Sequence, residues 1–326
     1  MAVKRLMKTF QEVIPSSKLQ VAAFYCFTPM KEEVIDLLLN ELTNNASEGE
    51  VKGTVLLATE GINGTVCGPM EGVTSLLEQL QASLLEKTLE VKFSWTTVQA
   101  FRRFKARKKC EIVTMGVEGI NPRKSVGVYV DPLDWNSCLS DPDTLVIDTR
   151  NDYEVAIGSF EGALNPHTDT FREFPAWVDS NLHMLVEEKQ PRRIAMFCTG
   201  GIRCEKATSY LLQEGFEGVH HLQGGILRYL EEVPQQKSLW NGECFVFDQR
   251  VALNHKLLPG VHCLCYACGM PLSPEETQPS SYIRGVKCLY CADRYTDEDR
   301  ARFAERQKQF DERTKDLPGN LARPNS

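Results

Sequence analysis

Residues 193–212 constrain the fold more than any other stretch of the chain. Arg193-Ile194-Ala195-Met196-Phe197 is an apolar run of the kind that forms a buried parallel strand, and Ala207 to Leu212 begins a helical apolar pattern. Between them lies Cys198-Thr199-Gly200-Gly201-Ile202-Arg203-Cys204-Glu205-Lys206. A cysteine therefore sits where a strand turns into a helix, at the carboxyl end of the strand, where open α/β sheets bind their ligands. The helix that follows aims its first N–H groups and the positive end of its dipole at that point, which favours a thiolate. Gly200 and Gly201 allow the loop to curl with its amides turned inward as an anion nest. Arg203 adds a fixed positive charge that lowers the thiol pKa further and can pair with a charged substrate group. An inert structural cysteine needs neither the glycines nor the arginine. Cys198 and Arg203 are thus candidate catalytic residues, and Thr199, Gly200, Gly201 and Ile202 a candidate anion-binding loop.

The C-x-x-x-x-R loop resembles the active-site loop of rhodanese domains, in which the cysteine can carry a persulfide. The longer string CTGGIRCEKA is similar to that of a narrower family, the rhodanese-type tRNA uridine hydroxylases, which oxidise the wobble uridine of certain tRNAs to 5-hydroxyuridine. The resemblance implies an oxidoreductase with Cys198 as its essential thiol, dioxygen as co-substrate and the anticodon region of tRNA as partner. The residues themselves carry no dinucleotide fingerprint, no flavin motif and no iron triad, so the electron source has no account at this level. Cys204, also counted as catalytic, stands at the start of the helix, where the dipole is expected to depress its pKa. It either resolves an oxidised or sulfurated Cys198 as a disulfide or packs beneath the loop as a small hydrophobe.

At 326 residues the chain is expected to hold two or three domains. No apolar run approaches the length that crosses a bilayer. The start, Met1 to Lys8, is basic but lacks a secretory apolar core. Twelve cysteines, several in pairs with metal or catalytic spacing, fit a reducing, cytoplasmic setting better than a disulfide framework. A net charge of −7 argues against indiscriminate nucleic-acid coating and leaves room for a local basic patch.

Residues 1–125 read as a first domain. Leu19 to Phe27 is a strand, Lys31 to Leu42 a helix with Glu32 and Glu33 in its first turn, and Val51 to Ala58 a second strand. Asn63-Gly64 signals a hairpin turn, Met70 to Leu84 a second helix and Leu89 to Ser94 a further strand. The order β-α-β-β-α-β is that of a ferredoxin-like or acylphosphatase-like α+β sandwich. The segment 102–109 then brings Arg102, Arg103, Lys105, Arg107, Lys108 and Lys109, with Phe101 and Phe104 interleaved. Two readings stay open: a nucleic-acid-binding run that neutralises phosphates, or a solvated connector anchored by its phenylalanines.

Residues 126–240 read as a parallel α/β domain of rhodanese type. Leu145-Val146-Ile147 is a buried strand ending in Asp148-Thr149-Arg150, which belongs beside the cysteine loop; Asp148 and Arg150 are candidate site support as an ion pair. Asp169 to Trp177 is helical, and Gly215 closes the helix after the loop. His220 and His221, on the strand Val219 to Leu222, read as structural.

Residues 241–326 form a Cys-rich, zinc-ribbon-like segment. Phe245 to Asp248 reads as a strand. Cys265-x-x-Cys268 and Cys288-x-x-Cys291 have the spacing of a four-thiolate structural zinc site, with Cys263 leaving the ligand set ambiguous. Residues 293–316 have the pattern of a charged helix ended by Leu317-Pro318-Gly319. Three function classes follow: a tRNA uridine 5-hydroxylase, a sulfurtransferase carrying a Cys198 persulfide, and a non-catalytic binding module. The cysteine loop counts against the third and the flanking domains against the second.

Overall fold

The computed structural model describes residues 18–84 and 87–314. The basic start and the end of the chain after 314 lie outside them. Two compact units are present, one running to Gln249 and taking in Leu253–Leu258, the other made of Arg250–Ala252 and the residues from Pro259 on.

The first part of the larger unit has the expected order: β1 (Leu19–Phe27), α1 (Glu32–Glu48), β2 (Lys52–Ala58), β3 (Gly61–Gly68), α2 (Met70–Ala82) and β4 (Glu90–Thr96). A fifth strand, β5 (Phe104–Lys108), extends the sheet to the order β4-β1-β3-β2-β5, parallel to β2 where the other pairs are antiparallel. Helical spacing brings Ile35, Leu38 and Leu42 of α1 and Val73, Leu76, Leu77 and Leu80 of α2 onto one sheet face, over Ala22, Phe24, Val55, Leu57, Ile62 and Val66. Two expectations are corrected here. The chain reverses at Thr59-Glu60, and Asn63-Gly64 lies inside β3. Gly64 is demanded by packing, since a Cβ there would meet both the Phe24 ring and the Thr54 carbonyl at 2.7 Å; Asn63 donates its amide to the Ile112 carbonyl at 2.8 Å. The basic run is an edge strand over Phe104–Lys108 where one reading had a solvated connector, although its phenylalanines are anchored as that reading expected, Phe104 on the core and Phe101 beside Val21 and Cys67.

The second part is a four-stranded parallel sheet in the order β6-β10-β9-β7, with β6 (Val128–Val130), β7 (Thr144–Asp148), β9 (Arg193–Phe197) and β10 (Val219–Leu222). Between β6 and β9 run α3 (Pro132–Ser140), α4 (Asp152–Val155), β8 (Gly158–Phe160), α5 (Phe174–Trp177) and α6 (His183–Lys189). The helical stretch expected to reach Trp177 continues through a π turn to Lys189. After β9 come α7 (Ile202–Gln213), α8 (Gly225–Glu232) and β11 (Trp240–Gly242), the last paired with β8. Both sheet faces are covered, as a parallel sheet requires. Ile194 and Met196 pack toward α5 and α7, while Ala195 and Phe197 pack toward α3 and α8. The strand expected over Phe245–Asp248 is confined to Cys244–Phe245.

The smaller unit holds a two-stranded ribbon, Cys263–Leu264 against Pro271–Leu272, and α9 (Asp297–Thr314). Phe303 meets Tyr295 edge-on at 5.1 Å, and Arg306 donates to the Tyr266 carbonyl at 2.6 Å, so the charged helix is tied down through one side. Its hydrophobic cluster is built on three buried cysteines, Cys265, Cys288 and Cys291, with Leu272.

Candidate active site and metal centre

Strand β9 ends at Phe197, and its loop wraps Cys198, which is fully buried. Gly201 has φ +100, a conformation L side chains rarely adopt, and this turns its N–H onto Cys198 Sγ at 3.1 Å. The first turn of α8 holds the loop from outside: Ile226 N–H donates to Cys198 O at 2.9 Å and Leu227 N–H to Thr199 O at 3.1 Å. Gly225 permits that approach, since a Cβ there would fall 2.4 Å from Cys198 O. Burial alone would raise the Cys198 thiol. A hydrogen bond from Cys204, the Arg203 charge and the N–H groups of Cys204 and Gly201 outweigh it and bring the pKa down to about 5. Cys198 is therefore a thiolate at neutral pH.

Cys204 departs from the expectation. Burial raises its thiol well above the ordinary value and the neighbouring Cys198 thiolate raises it further, so the helix dipole does not win. It stays protonated, 3.5 Å from Thr149 Oγ1, and serves as a donor to Cys198.

Arg203 is held by Glu154 through two parallel bonds, Nη1 to Oε2 at 2.6 Å and Nη2 to Oε1 at 2.8 Å. The Glu154 carboxylate also accepts from Thr199 Oγ1 at 3.2 Å and Asn151 N at 3.2 Å. Burial would raise the Glu154 carboxyl, but Arg203 and then Arg150 keep it below its usual range. Arg203 thus supplies positive field to the thiolate while its guanidinium edge is already engaged. Behind it, Arg150 is fully buried and bidentate to Asp148, with Nε–Oδ1 2.9 Å and Nη2–Oδ2 2.6 Å. Its remaining donors reach Glu154 O at 3.2 Å and Gly158 O at 2.6 Å, so it fastens the end of β7 to α4 and β8. Phe247, 63% exposed, lies with its ring centroid 5.9 Å from the Arg203 guanidinium carbon.

On its other side α7 faces the first sheet. Glu205 Oε1 accepts from Tyr25 Oη at 2.8 Å, and burial raises the Glu205 pKa. Lys206, only 2% exposed, donates to Glu60 at 3.0 Å, to Glu111 and to Val113 O at 3.0 Å. Thus the two residues after Cys204 join the thiolate loop to β1, through Glu205, and to the β2–β3 turn and the segment after β5, through Lys206.

In the smaller unit, Cys265, Cys268, Cys288 and Cys291 bring their Sγ atoms within 4.8 Å of one another. Three of the separations are 3.9, 3.7 and 3.7 Å. Zn–S bonds of ~2.3 Å arranged tetrahedrally require S···S of ~3.8 Å, so this donor set can hold a metal and its spacing is compatible with zinc. Cys263 lies outside this group of four.

Residues 19–112 match the UPF0176 acylphosphatase like domain and residues 134–232 the Rhodanese-like domain. A protein named tRNA uridine(34) hydroxylase from Prochlorococcus marinus (strain MIT 9313) is 62% identical over 292 residues, 90% of this chain and 94% of that protein. One of the same name from a second strain of Prochlorococcus marinus is 57% identical over 98% of this chain and 100% of its own. Another, from Parasynechococcus marenigrum (strain WH8102), is 61% identical over 91% and 94%. The chain belongs to the tRNA uridine(34) hydroxylase family.

In this member of the hydroxylase family the structure brings together Cys198, Thr199, Gly200, Gly201, Ile202, Arg203 and Cys204 in the loop and α7, with Asp148 and Arg150 behind them. It divides the basic set of 102–109. Lys108 lies on the helix side of β5, paired with Glu32 and, at 3.0 Å, with Asp36; alternation along the strand places Lys105 and Arg107 on the other face. Lys108 thus lies on the opposite face of the strand from Lys105 and Arg107. Sequence reasoning missed Glu154, although Asn151-x-x-Glu154 is a helix-start signature that marks it. It also missed Tyr25, which looks like any core position of a strand. His221 is buried against Tyr129, ring centroids 4.3 Å apart, and burial lowers its pKa to about 4, so it carries no charge near neutrality.

Proposed function

We propose that this protein hydroxylates uridine 34 of tRNA to 5-hydroxyuridine, with dioxygen as the oxygen source and Cys198 as the reactive thiolate. The observation that carries the reading is the near full-length identity to proteins of that name, which includes both flanking regions as well as the loop. The local chemistry supports it. A buried thiolate pulled down to about 5 is ionised at working pH, and such a nucleophile adds to an electron-poor carbon such as C6 of uracil, pushing the C5–C6 pair toward O4. That addition is redox-neutral and makes C5 electron-rich. Dioxygen then places one oxygen atom on C5 while the other leaves as water, with two electrons and the protons from an external reductant, and loss of the C5 proton with departure of the Cys198 thiolate from C6 restores the C5–C6 double bond. Thr199, Gly200, Gly201 and Ile202 shape the loop, Arg203 and Cys204 hold the thiolate form, and Asp148 and Arg150 support them. Cys265, Cys268, Cys288 and Cys291 bind zinc as a closed structural site with no chemistry of its own. The anticodon region is the part of tRNA engaged, in the cytoplasm.

The test is nucleoside mass spectrometry on cells lacking the protein, complemented with wild type or Cys198→Ala. Loss of 5-hydroxyuridine restored by wild type alone is expected. Unchanged 5-hydroxyuridine with a fall in thiolated nucleosides overturns this reading in favour of sulfur transfer, which the same thiolate would serve as a persulfide carrier.

A further inference from the structure

Strand register lines up the residues on the face of the first sheet that α1 and α2 do not cover. One row reads Lys92, Ala23, Thr65, Thr54, Lys105 from β4 across to β5, and the next reads Glu90, Tyr25, Asn63, Leu56, Arg107. The ends of this face are covered. Val21 and Cys67 lie beneath Ala100 and Phe101, while Tyr25, Phe27 and Ala58 pack with Ile112, Val113 and Ile202 of the thiolate loop. Between them Ala23, Thr65 and Thr54 remain half-buried and small. The result is a shallow trough crossing five strands, about 19 Å long and, between Val21 and Tyr25, about 14 Å wide.

Its charges are arranged along its length. Arg103, Lys105 and Arg107 at the β5 end have no carboxylate partner among the described residues, whereas Lys108 on the opposite face has two. The Arg103 charge, then desolvation and the Arg107 charge, lower the Lys105 pKa, so the three cations stand close enough to repel one another. At the other end Lys92 lies 5.1 Å from the Tyr25 ring centroid, and the Tyr25 hydroxyl in turn donates to Glu205 at 2.8 Å and lies 3.0 Å from where a Cβ on Gly201 of the thiolate loop would stand. The trough therefore runs from an unneutralised basic edge to the neighbourhood of the thiolate.

We propose that this open sheet face is the track for a single-stranded RNA segment, which enters over Lys105 and Arg107 and delivers its base at the Lys92 end beside Cys198. The inference rests on tRNA being the substrate and names the surface that receives its anticodon loop. About 19 Å equals five to six stacked steps at ~3.4 Å, and fewer when the strand is extended, so a loop-sized stretch fills the trough. An A-form duplex, which is read by shape across a wide minor groove, does not fit a recessed floor of this width. Four-stranded sheets of RNA-recognition modules use the same exposed face for single strands, there with aromatic rings as the floor. Here threonine hydroxyls and alanine replace the rings, so contacts to phosphate and 2′-OH hold the strand and selection of the base falls to the thiolate end.

The experiment is fluorescence anisotropy with a synthetic anticodon stem-loop carrying U34, against a fully paired RNA of equal length, as a function of salt. Lys105→Ala with Arg107→Ala is expected to reduce the slope of log K against log salt by about 1.4, two phosphate contacts at ~0.7 each. Lys105→Arg keeps binding, Thr54→Glu in mid-trough weakens it at least about tenfold, and Lys108→Ala leaves it unchanged. An unaltered slope in the double variant, an equal loss in Lys108→Ala, or equally tight binding of the paired RNA overturns the track. Should 5-hydroxyuridine in cells depend on the protein while the double variant binds normally, the track alone fails. Should the stem-loop bind along the track while 5-hydroxyuridine is independent of the protein, the hydroxylase reading alone fails.

Discussion

Replacing Cys204 tests the electrostatics of the loop most directly, because its thiol is the first of the influences that lower the Cys198 pKa against the cost of burial. A hydrogen bond to a charged group contributes about 1.5–3 kcal/mol, and one pKa unit corresponds to ~1.36 kcal/mol. Cys204→Ala removes the donor and leaves Arg203, Gly201 N–H and the backbone in place. The Cys198 pKa, about 5 in the native loop, should therefore rise by about one to two units, to roughly 6–7. Cys204→Ser keeps a donor of similar size and should move it less. The assay is the ultraviolet absorbance of the thiolate followed against pH, with each variant referred to its Cys198→Ala counterpart so that the other cysteines cancel. A Cys204→Ala protein that still titrates near 5 would refute the donor role. So would a serine variant shifted as far as the alanine one, since loss of packing alone would then explain both.

The same thiolate makes stability depend on pH. Its pKa falls from an ordinary 9.0 to about 5 on folding, so its contribution is complete above 9 and is lost as pH falls through 5. Urea unfolding should show the advantage of wild type over Cys198→Ala growing between these limits by up to ~1.4 kcal/mol per pH unit; the raised Cys204 thiol acts only above its own ordinary value and does not disturb the window. Glu154→Gln leaves Arg203 buried without its carboxylate and should cost about 3–5 kcal/mol in the same assay, part of it recovered when Arg203→Gln is added. The purified protein should carry one zinc per chain by elemental analysis. Cys288→Ser or a strong chelator should release the metal and expose 259–314 to limited proteolysis, since metal binding of this kind supplies about 10–16 kcal/mol of folding free energy.

Much of the fold was legible because it is written in local periodicity. The spacing of Ile35, Leu38 and Leu42 marks a helix buried on one side, and the run Ile194–Phe197 marks a strand buried on both. The thiolate loop was legible for a similar reason, since its glycines, arginine and cysteine are adjacent in the chain. What escaped was pairing between distant segments. Asn63-Gly64 has the chemistry of a turn, yet Phe24 and Thr54, far away in sequence, require a glycine inside a strand at that point. Residues 102–109 look like a solvated run by composition, but Phe104 reaches the core and converts it to an edge strand whose alternation separates Lys108 from Lys105 and Arg107. Cys204 sits where a dipole favours ionisation, and its complete burial, reinforced by the proximity of the better-stabilised Cys198 thiolate, reverses that.

The residues that distinguish this loop from a bare C-x-x-x-x-R are Glu205 and Lys206, and the structure gives both the same direction. Arg203 turns toward Glu154 within its own domain, as thiolate chemistry alone requires. Glu205 and Lys206 turn instead to Tyr25, Glu60 and Glu111, which belong to the first sheet and its margins. A carrier that passes sulfur to a small thiol gains nothing from such ties, because its acceptor needs no second surface. An enzyme that must present one base of a long polyanion to a buried thiolate does gain from them. They fix the position of the trough floor relative to Cys198, so that a strand held by phosphate contacts at β5 arrives in register with the loop.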